Sequence, residues 1–80
     1  MSLKEAIQQR ILGLCEEHGL KPNALANHCG LDPSTVYSIL GEKSKSPEIA
    51  TIKKICDGLD MTLGQFFSHV LFDELEQEIK

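Results

Sequence analysis

Residues 19–47 contain two short stretches with helical spacing, and this pattern constrains the fold more than any other feature of the chain. The first stretch runs from Pro22 to about Cys29, and the second runs from Pro33 to about Leu40, where Gly41 ends it. Gly30 lies between them, and glycine adopts a positive φ without a steric penalty. The pattern therefore predicts two short helices that are joined by a sharp turn and meet at a steep angle.

The second of these helices has a strong start signal. Asp32 is placed as an N-cap, whose carboxylate can accept hydrogen bonds from free backbone N–H groups. Pro33 follows at the first helical position, where its missing N–H costs nothing. In the first helix, the small side chain of Ala26 permits a close crossing. The apolar residues predicted to face the core from this two-helix unit are Leu25, Cys29, Leu31, Val36 and Ile39.

Helical signals also cover the rest of the chain. Steps of three and four predict an amphipathic helix over residues 3–18, with Gly19 placed to stop it. Its predicted stripe is Leu3, Ile7, Ile11, Leu14 and His18. Ser46 and Pro47 repeat the cap-plus-proline signal before a further helix. The stripe of that helix is Ile49, Ile52, Ile55 and Leu59. Thr62 and Gln65 have the spacing of a capping box, which opens a helix containing Leu63, Phe66 and Phe67.

The chain contains no strand-like alternation longer than four residues, and its 80 residues allow one domain. We therefore expect an all-α, compact five-helix domain over residues 1–69. Residues 70–80 form an acidic amphipathic tail. Within the tail, helical steps relate Leu71, Phe72, Leu75 and Ile79, and this apolar edge is expected either to close the core or to form a homodimer.

The net charge of −4 disfavours a nucleic-acid partner when it is taken alone, but the charge is unevenly distributed. Residues 20–54 carry five lysines against three acidic side chains, whereas residues 55–80 carry Lys80 against six. The basic middle predicts a surface that can face DNA, with the acidic tail turned away from it.

Three cysteines at wide spacings, Cys15, Cys29 and Cys56, do not form the pattern of a disulfide framework. All three lie at or beside apolar positions, so we expect buried thiols and no metal site. Cys15 and His18 share a helix, but nothing supplies an oxyanion hole for a nucleophile and base. We expect no enzyme activity and no cofactor.

The sequence shows neither a leader-like apolar stretch nor a membrane span, which predicts a cytoplasmic protein.

The motif over residues 22–39 resembles a DNA-binding helix-turn-helix, and more narrowly that of the Xre/Cro family of lambda-repressor-like domains. The stretch "RILGLCEEHGL" is similar to the first helix of that family. The stretch "KSKSPEIATIKKICDGLDMTLGQFF" is similar to its fourth and fifth helices. The resemblance covers about residues 7–68. It implies a small bacterial or phage-type transcriptional regulator that binds double-stranded DNA, with the helix 33–40 in the major groove.

The resemblance also implies which residues meet the DNA. Pro33, Ser34, Tyr37 and Ser38 would face base edges, and Thr35 could reach a phosphate. The helical period agrees, because inward-facing Val36 and Ile39 turn Ser34, Tyr37 and Ser38 outward. Two groups of residues are candidate phosphate contacts: Lys43 and Lys45 in the following loop, and Asn23 at the start of the motif.

Three features depart from the family pattern. Pro22 stands where glutamine is common, Glu42 precedes the loop lysines, and the outward face of the helix 33–40 has no Arg, Lys, Gln or Asn. Those four side chains make the strong contacts to guanine and adenine. An alternative interpretation is therefore a protein–protein interaction module on the same fold, such as an antitoxin-like partner or a regulator subunit.

Overall fold

The computed structural model describes residues 1–41 and 46–79, and this part of the chain is helical without strands. The all-α prediction is confirmed, and one short helix is added to the five expected. In chain order the helices are α1 (Leu3–Glu17), α2 (Pro22–His28), α3 (Pro33–Leu40), α4 (Ile49–Gly58), α5 (Leu63–Phe67) and α6 (Val70–Asp73). Lys43 and Lys45, which are predicted to contact phosphates, lie outside the described residues.

The start of α1 is a capping box formed by Ser2 and Glu5. The backbone N–H of Glu5 donates to Ser2 Oγ at 3.2 Å, and the Ser2 N–H donates to Glu5 Oε1 at 3.5 Å. Gly19 has φ 64°, as expected of the residue that follows the C-cap. The predicted apolar stripe was wrong at both ends, because Leu3 and His18 are exposed. The side chains that α1 buries are Ala6, Ile7, Arg10, Ile11, Leu14 and Cys15.

The turn between α2 and α3 follows the predicted chemistry, with Gly30 at φ 69°. The Leu31 N–H donates to the Ala26 carbonyl at 2.8 Å across this turn, which ties the turn to α2. Asp32 occupies the N-cap of α3, but its side chain makes no capping hydrogen bond, contrary to the expectation. Pro33 at the first helical position and the backbone bond from Thr35 N–H to Asp32 O at 2.9 Å begin the helix instead.

The fourth helix begins two residues later than Ser46 and Pro47 predict. Its N-cap is Glu48, and Ile49 is 60% exposed rather than part of the buried stripe. Gly58 ends α4 where it crosses α2. A Cβ added at Gly58 would lie 2.5 Å from Cys29 Sγ and 2.9 Å from Cys29 Cα. The crossing therefore has room for a hydrogen atom but not for a methyl group at position 58.

The capping box of α5 is present as predicted. The Gln65 N–H donates to Thr62 Oγ1 at 3.0 Å, and the Thr62 N–H donates to Gln65 Oε1 at 2.8 Å. The tail then turns back over the core. Phe72 of α6 lies with its ring centroid 5.0 Å from that of Phe67, edge to face. His69 Nδ1 accepts the Leu71 N–H at 3.1 Å and so caps α6.

The last part of the tail runs past the start of α1. The Glu76 N–H donates to the Met1 carbonyl at 3.3 Å, and a Glu76 carboxylate oxygen lies 3.6 Å from the Met1 ammonium. Ile79 is 90% exposed beyond these contacts. The apolar edge of the tail is thus divided: Phe72 packs on the core, whereas Ile79 does not.

Arg10 is the one charged residue among the buried side chains of the described chain, with 9% exposure. Its Nε donates to the Phe66 carbonyl at 2.8 Å, and one terminal nitrogen donates to the Gln65 carbonyl at 3.1 Å. The guanidinium also lies 5.8 Å from the centre of the Phe66 ring. Arg10 therefore joins the middle of α1 to the carboxyl end of α5, where helix carbonyls need donors.

The core is mainly aliphatic, and it includes two of the three thiols. Its buried cluster consists of Ile7, Ile11, Leu14, Cys15, Leu25, Ile39, Ile52, Ile55, Cys56, Leu59 and Phe66. Cys29 is half-buried beside it, and all three cysteines are free. Burial raises the pKa of each thiol above its ordinary value. The protonated thiol is therefore the form that packs here. The prediction of buried thiols is confirmed for Cys15 and Cys56, whereas Cys29 is only half-buried.

Candidate nucleic-acid interface

The helix-turn-helix unit is held together by four buried side chains. Leu25 and Ala26 of α2 and Val36 of α3 are fully inaccessible, and Ile39 is 5% exposed. With these residues facing inward, the opposite face of α3 must point to solvent. The unit is therefore a short helix presented at a fixed angle on the surface of a small core.

The outward face of α3 contains most of the predicted base-contacting residues. Ser34, Tyr37 and Ser38 are exposed, and the Tyr37 side chain has 54% exposure. Pro33 and Thr35 are half-buried at the edge of the same face. The structure thus brings the five predicted α3 residues together on one side of one helix. A tyrosine that exposes both its ring and its hydroxyl can contact an apolar methyl group and a polar oxygen.

One of the three predicted phosphate-contacting residues lies in the part of the chain that the structure describes. Asn23 is exposed as the second residue of α2, close to that helix's free N–H groups. Lys43 and Lys45 lie outside the described residues. Two further lysines are exposed on α4, and one of them, Lys53, forms an ion pair with Asp57 one turn along the helix.

The carboxyl end of α3 has a contact that sequence reasoning missed. The side-chain amide of Gln8 in α1 donates to the Ile39 carbonyl at 2.9 Å and to the Gly41 carbonyl at 3.2 Å. These carbonyls belong to the last turn of α3 and its C-cap, where no intrahelical donor is available. Gln8 therefore anchors the end of the exposed helix to α1. A polar residue beside the apolar stripe of α1 was the only available signal, and it did not identify a partner more than 30 residues away.

An open depression lies between α3 and the start of α4. Its volume is about 440 Å³, and its lining residues are Thr35, Ser38, Ile39, Ser46, Pro47, Glu48 and Thr51. The lining is mostly hydroxyl and apolar groups. Because Thr35 and Ser38 also belong to the outward face of α3, the depression is continuous with that face.

Across residues 1–41 and 46–79, no group of three or more His, Cys, Asp or Glu side chains is arranged to hold a metal ion. No helix in that part of the chain has the length and apolar character to cross a membrane.

A short helix displayed outward by a glycine-centred turn and a preceding packed helix defines a helix-turn-helix DNA-binding domain. Comparison with known proteins identifies the family. Residues 10–71 match the Cro/C1-type HTH DNA-binding domain, and the chain belongs to this family. The resemblance inferred from the sequence is confirmed.

A solved structure is similar over nearly the whole chain. The prophage Lp1 protein 11 is 30% identical to this protein and superposes with a TM-score of 0.81. The match covers 94% of this chain and 100% of the other. No curated protein matches the chain.

Proposed function

We propose that the protein is a transcriptional regulator that recognises a specific sequence in double-stranded DNA with α3 in the major groove. The observation that carries this proposal is the outward face of α3, which exposes Ser34, Tyr37 and Ser38 on a helix held at both ends. Leu31 and Ala26 tie the preceding turn to α2, and Gln8 anchors the end of α3. A recognition element needs this rigidity, because a displaced helix loses its base contacts.

The proposed mechanism is occupancy of an operator. Tyr37 and the neighbouring serines contact base edges, and Asn23, Lys43 and Lys45 hold phosphates. Bound protein then blocks or recruits RNA polymerase in the cytoplasm of a bacterium. This mechanism requires no cofactor and no chemistry on the DNA.

Fluorescence anisotropy with labelled random duplex tests the phosphate-binding surface. We expect micromolar affinity at about 50 mM salt and weakening of severalfold or more at about 200 mM, because each neutralised phosphate releases counterions. Lys43→Ala should reduce the salt slope by about one. Absence of binding at the lower salt concentration would refute the proposal.

Selection of a preferred duplex then tests sequence recognition. Tyr37→Ala should weaken binding to the selected duplex more than binding to random duplex. Leu12→Ala is a matched control, because Leu12 is also an exposed apolar residue, at 48%, but lies on α1. The chain contains one tyrosine and no tryptophan, so its intrinsic fluorescence reports on α3 alone. Quenching on addition of DNA is expected.

A second candidate function is protein–protein interaction, including homodimerisation, through the C-terminal segment 70–80. Val70 and Ile79 are exposed apolar side chains within this acidic segment. A dimer would place two α3 helices about one DNA turn apart. Sedimentation equilibrium with the wild type and Ile79→Ser tests it. A dimer that Ile79→Ser dissociates supports the proposal, and a monomer at all concentrations excludes homodimerisation.

The division into a domain over residues 1–69 and a tail over residues 70–80 is likewise proposed. Phe72 packs against Phe66 and Phe67, so the tail contributes to stability as well as to any interaction. A chain ending at residue 69 should remain helical but unfold at a lower temperature. An unchanged Tm would show that the tail adds nothing to the core.

A further inference from the structure

The amino-terminal end of α3 presents a hydrogen-bond acceptor and hydroxyl groups instead of long donors. Asp32 at the N-cap is exposed, and Ser34 on the first turn is exposed beside it. The Asp32 carboxylate makes no capping bond to α3. It also forms no ion pair with the residues that the structure describes. An aspartate at this position usually satisfies its helix. No described residue occupies the carboxylate oxygens of Asp32, which leaves them available to a ligand.

The chemistry of the major groove determines which base suits a carboxylate. An ionised carboxylate can only accept hydrogen bonds. Guanine presents two acceptors in the groove, thymine presents an acceptor and a methyl group, and adenine presents an acceptor beside its amino group. Cytosine presents the N4 amino group, a donor without an acceptor on the same base edge. Cytosine is therefore the complementary base, and guanine is the most strongly repelled.

We infer that Asp32 is a specificity-determining residue that accepts a hydrogen bond from the N4 amino group of a cytosine and excludes guanine at that position. This inference rests on the proposed function, because it requires α3 in the major groove. The negative charge of Asp32 weakens binding to every duplex by repelling phosphates. The cytosine contact compensates at one base pair alone, so Asp32 lowers general affinity while it raises selectivity.

The inference also accounts for the unusual composition of α3. Its outward face lacks the Arg, Lys, Gln and Asn side chains that read guanine and adenine. With Asp32 included, this face offers one charged acceptor, the Asp32 carboxylate, and one aromatic ring, that of Tyr37. Recognition of cytosine by Asp32 and of a methyl group by Tyr37 needs neither an amide nor a cation.

Selection from a library of random duplexes tests the assignment. The wild type, Asp32→Ala and Asp32→Asn are selected in parallel. In the wild-type motif we expect one position at which cytosine is favoured by about 5- to 100-fold, the range of one good base contact. Asp32→Ala should lose the preference at that position alone. Asp32→Asn should change it to adenine, because an amide pairs with adenine N6 and N7.

Glu48→Ala is the matched control. Glu48 is also an exposed acidic N-cap residue without a capping bond, at the start of α4. Both alanine variants remove one negative charge, and both should bind random duplex more tightly than the wild type. Asp32→Ala alone should change the selected motif. Because Asp32 makes no capping bond, its variants lose only the interaction of its charge with the helix dipole, about 0.3–1 kcal/mol, and are expected to remain folded.

The outcomes separate this inference from the proposed function. A wild type that binds no duplex at low salt refutes both. A wild type that selects a motif shared unchanged by Asp32→Ala refutes only the role of Asp32. A selected motif in which no cytosine depends on Asp32 also refutes the role of Asp32. If the wild type instead selects an adenine that depends on Asp32, the contact is to adenine N6, and the assignment to cytosine is refuted.

Discussion

The crossing of α2 and α4 at Gly58 leads to a prediction in which two glycine-to-alanine substitutions have opposite effects. Alanine is more favourable than glycine in a helix by about 1 kcal/mol. In α1, a Cβ at Gly13 would meet no atom within 4 Å. Gly13→Ala should therefore stabilise the protein by about 0.5–1 kcal/mol. Gly58→Ala adds the same methyl group where the partner helix is already in contact.

The contact distances determine the sign at Gly58. The new Cβ would lie 2.5 Å from Cys29 Sγ, 2.9 Å from its Cα and 3.0 Å from its Cβ. Ordinary carbon contacts are about 3.5–4.0 Å, so the two helices must separate by about 0.5–1 Å. Rotation of the Cys29 side chain cannot relieve the contact with its Cα. Overpacking of this kind costs about 1–3 kcal/mol. After the gain in helix propensity, which is small at the last residue of α4, we expect a net loss of about 1–2 kcal/mol.

Urea and thermal unfolding followed by far-ultraviolet circular dichroism, with a reductant present, measure both effects. For a domain of this size, 1 kcal/mol corresponds to about 4–8 °C in Tm. Gly58→Ala should lower Tm by roughly 4–16 °C, and Gly13→Ala should raise it by about 2–8 °C. In a Cys29→Ala background the Gly58→Ala penalty should decrease but persist, since the Cα and Cβ contacts remain. Stabilisation by Gly58→Ala comparable to that by Gly13→Ala would refute the close crossing.

Three further predictions concern contacts at helix ends. Arg10→Met should lower the free energy of unfolding by about 2–4 kcal/mol in urea titrations, because the Phe66 and Gln65 carbonyls lose charge-assisted donors; a loss below about 0.5 kcal/mol would contradict this. Gln8→Met should speed amide exchange at the end of α3 and lower the ratio of specific to random DNA affinity. Unchanged exchange and an unchanged ratio would show that Gln8 does not position α3. Asp60 follows the end of α4 with φ 54°. Asp60→Asn should stabilise the folded protein by about 0.3–1 kcal/mol at low salt, because it removes a negative charge from a helix carboxyl end. A gain in the free energy of unfolding that persists at high salt would argue against that cause.

The helices and the turns could be predicted because their signals are local. Proline at the first helical position of α3, glycine at positive φ in the α2–α3 turn, and the Thr62–Gln65 capping box act within a few residues of where they stand. The serine–proline signal before α4 predicted the helix but placed its start two residues too early, since the first residue of α4 is Ile49. Local signals identify the presence of a helix more reliably than its first residue.

The outward face of α3 was also accessible from sequence, because the 3.6-residue period relates exposed positions to buried ones. Asp32 was the exception. Its residue type predicted a cap, whereas its side chain has no bond to the helix in the folded structure. The difference matters for function, since a carboxylate occupied as a cap could not read a base.

The sequence by itself determined the all-helical fold, the helix-turn-helix unit and the residues on its outer face, since these depend on spacing and on local backbone chemistry. The tertiary structure alone decided which distant groups meet. It placed Gln8 on the end of α3, Arg10 on the carbonyls of α5, and Gly58 against Cys29. Such contacts join residues far apart in the chain. Their geometry depends on how whole helices pack, and no periodic pattern within a single helix records it.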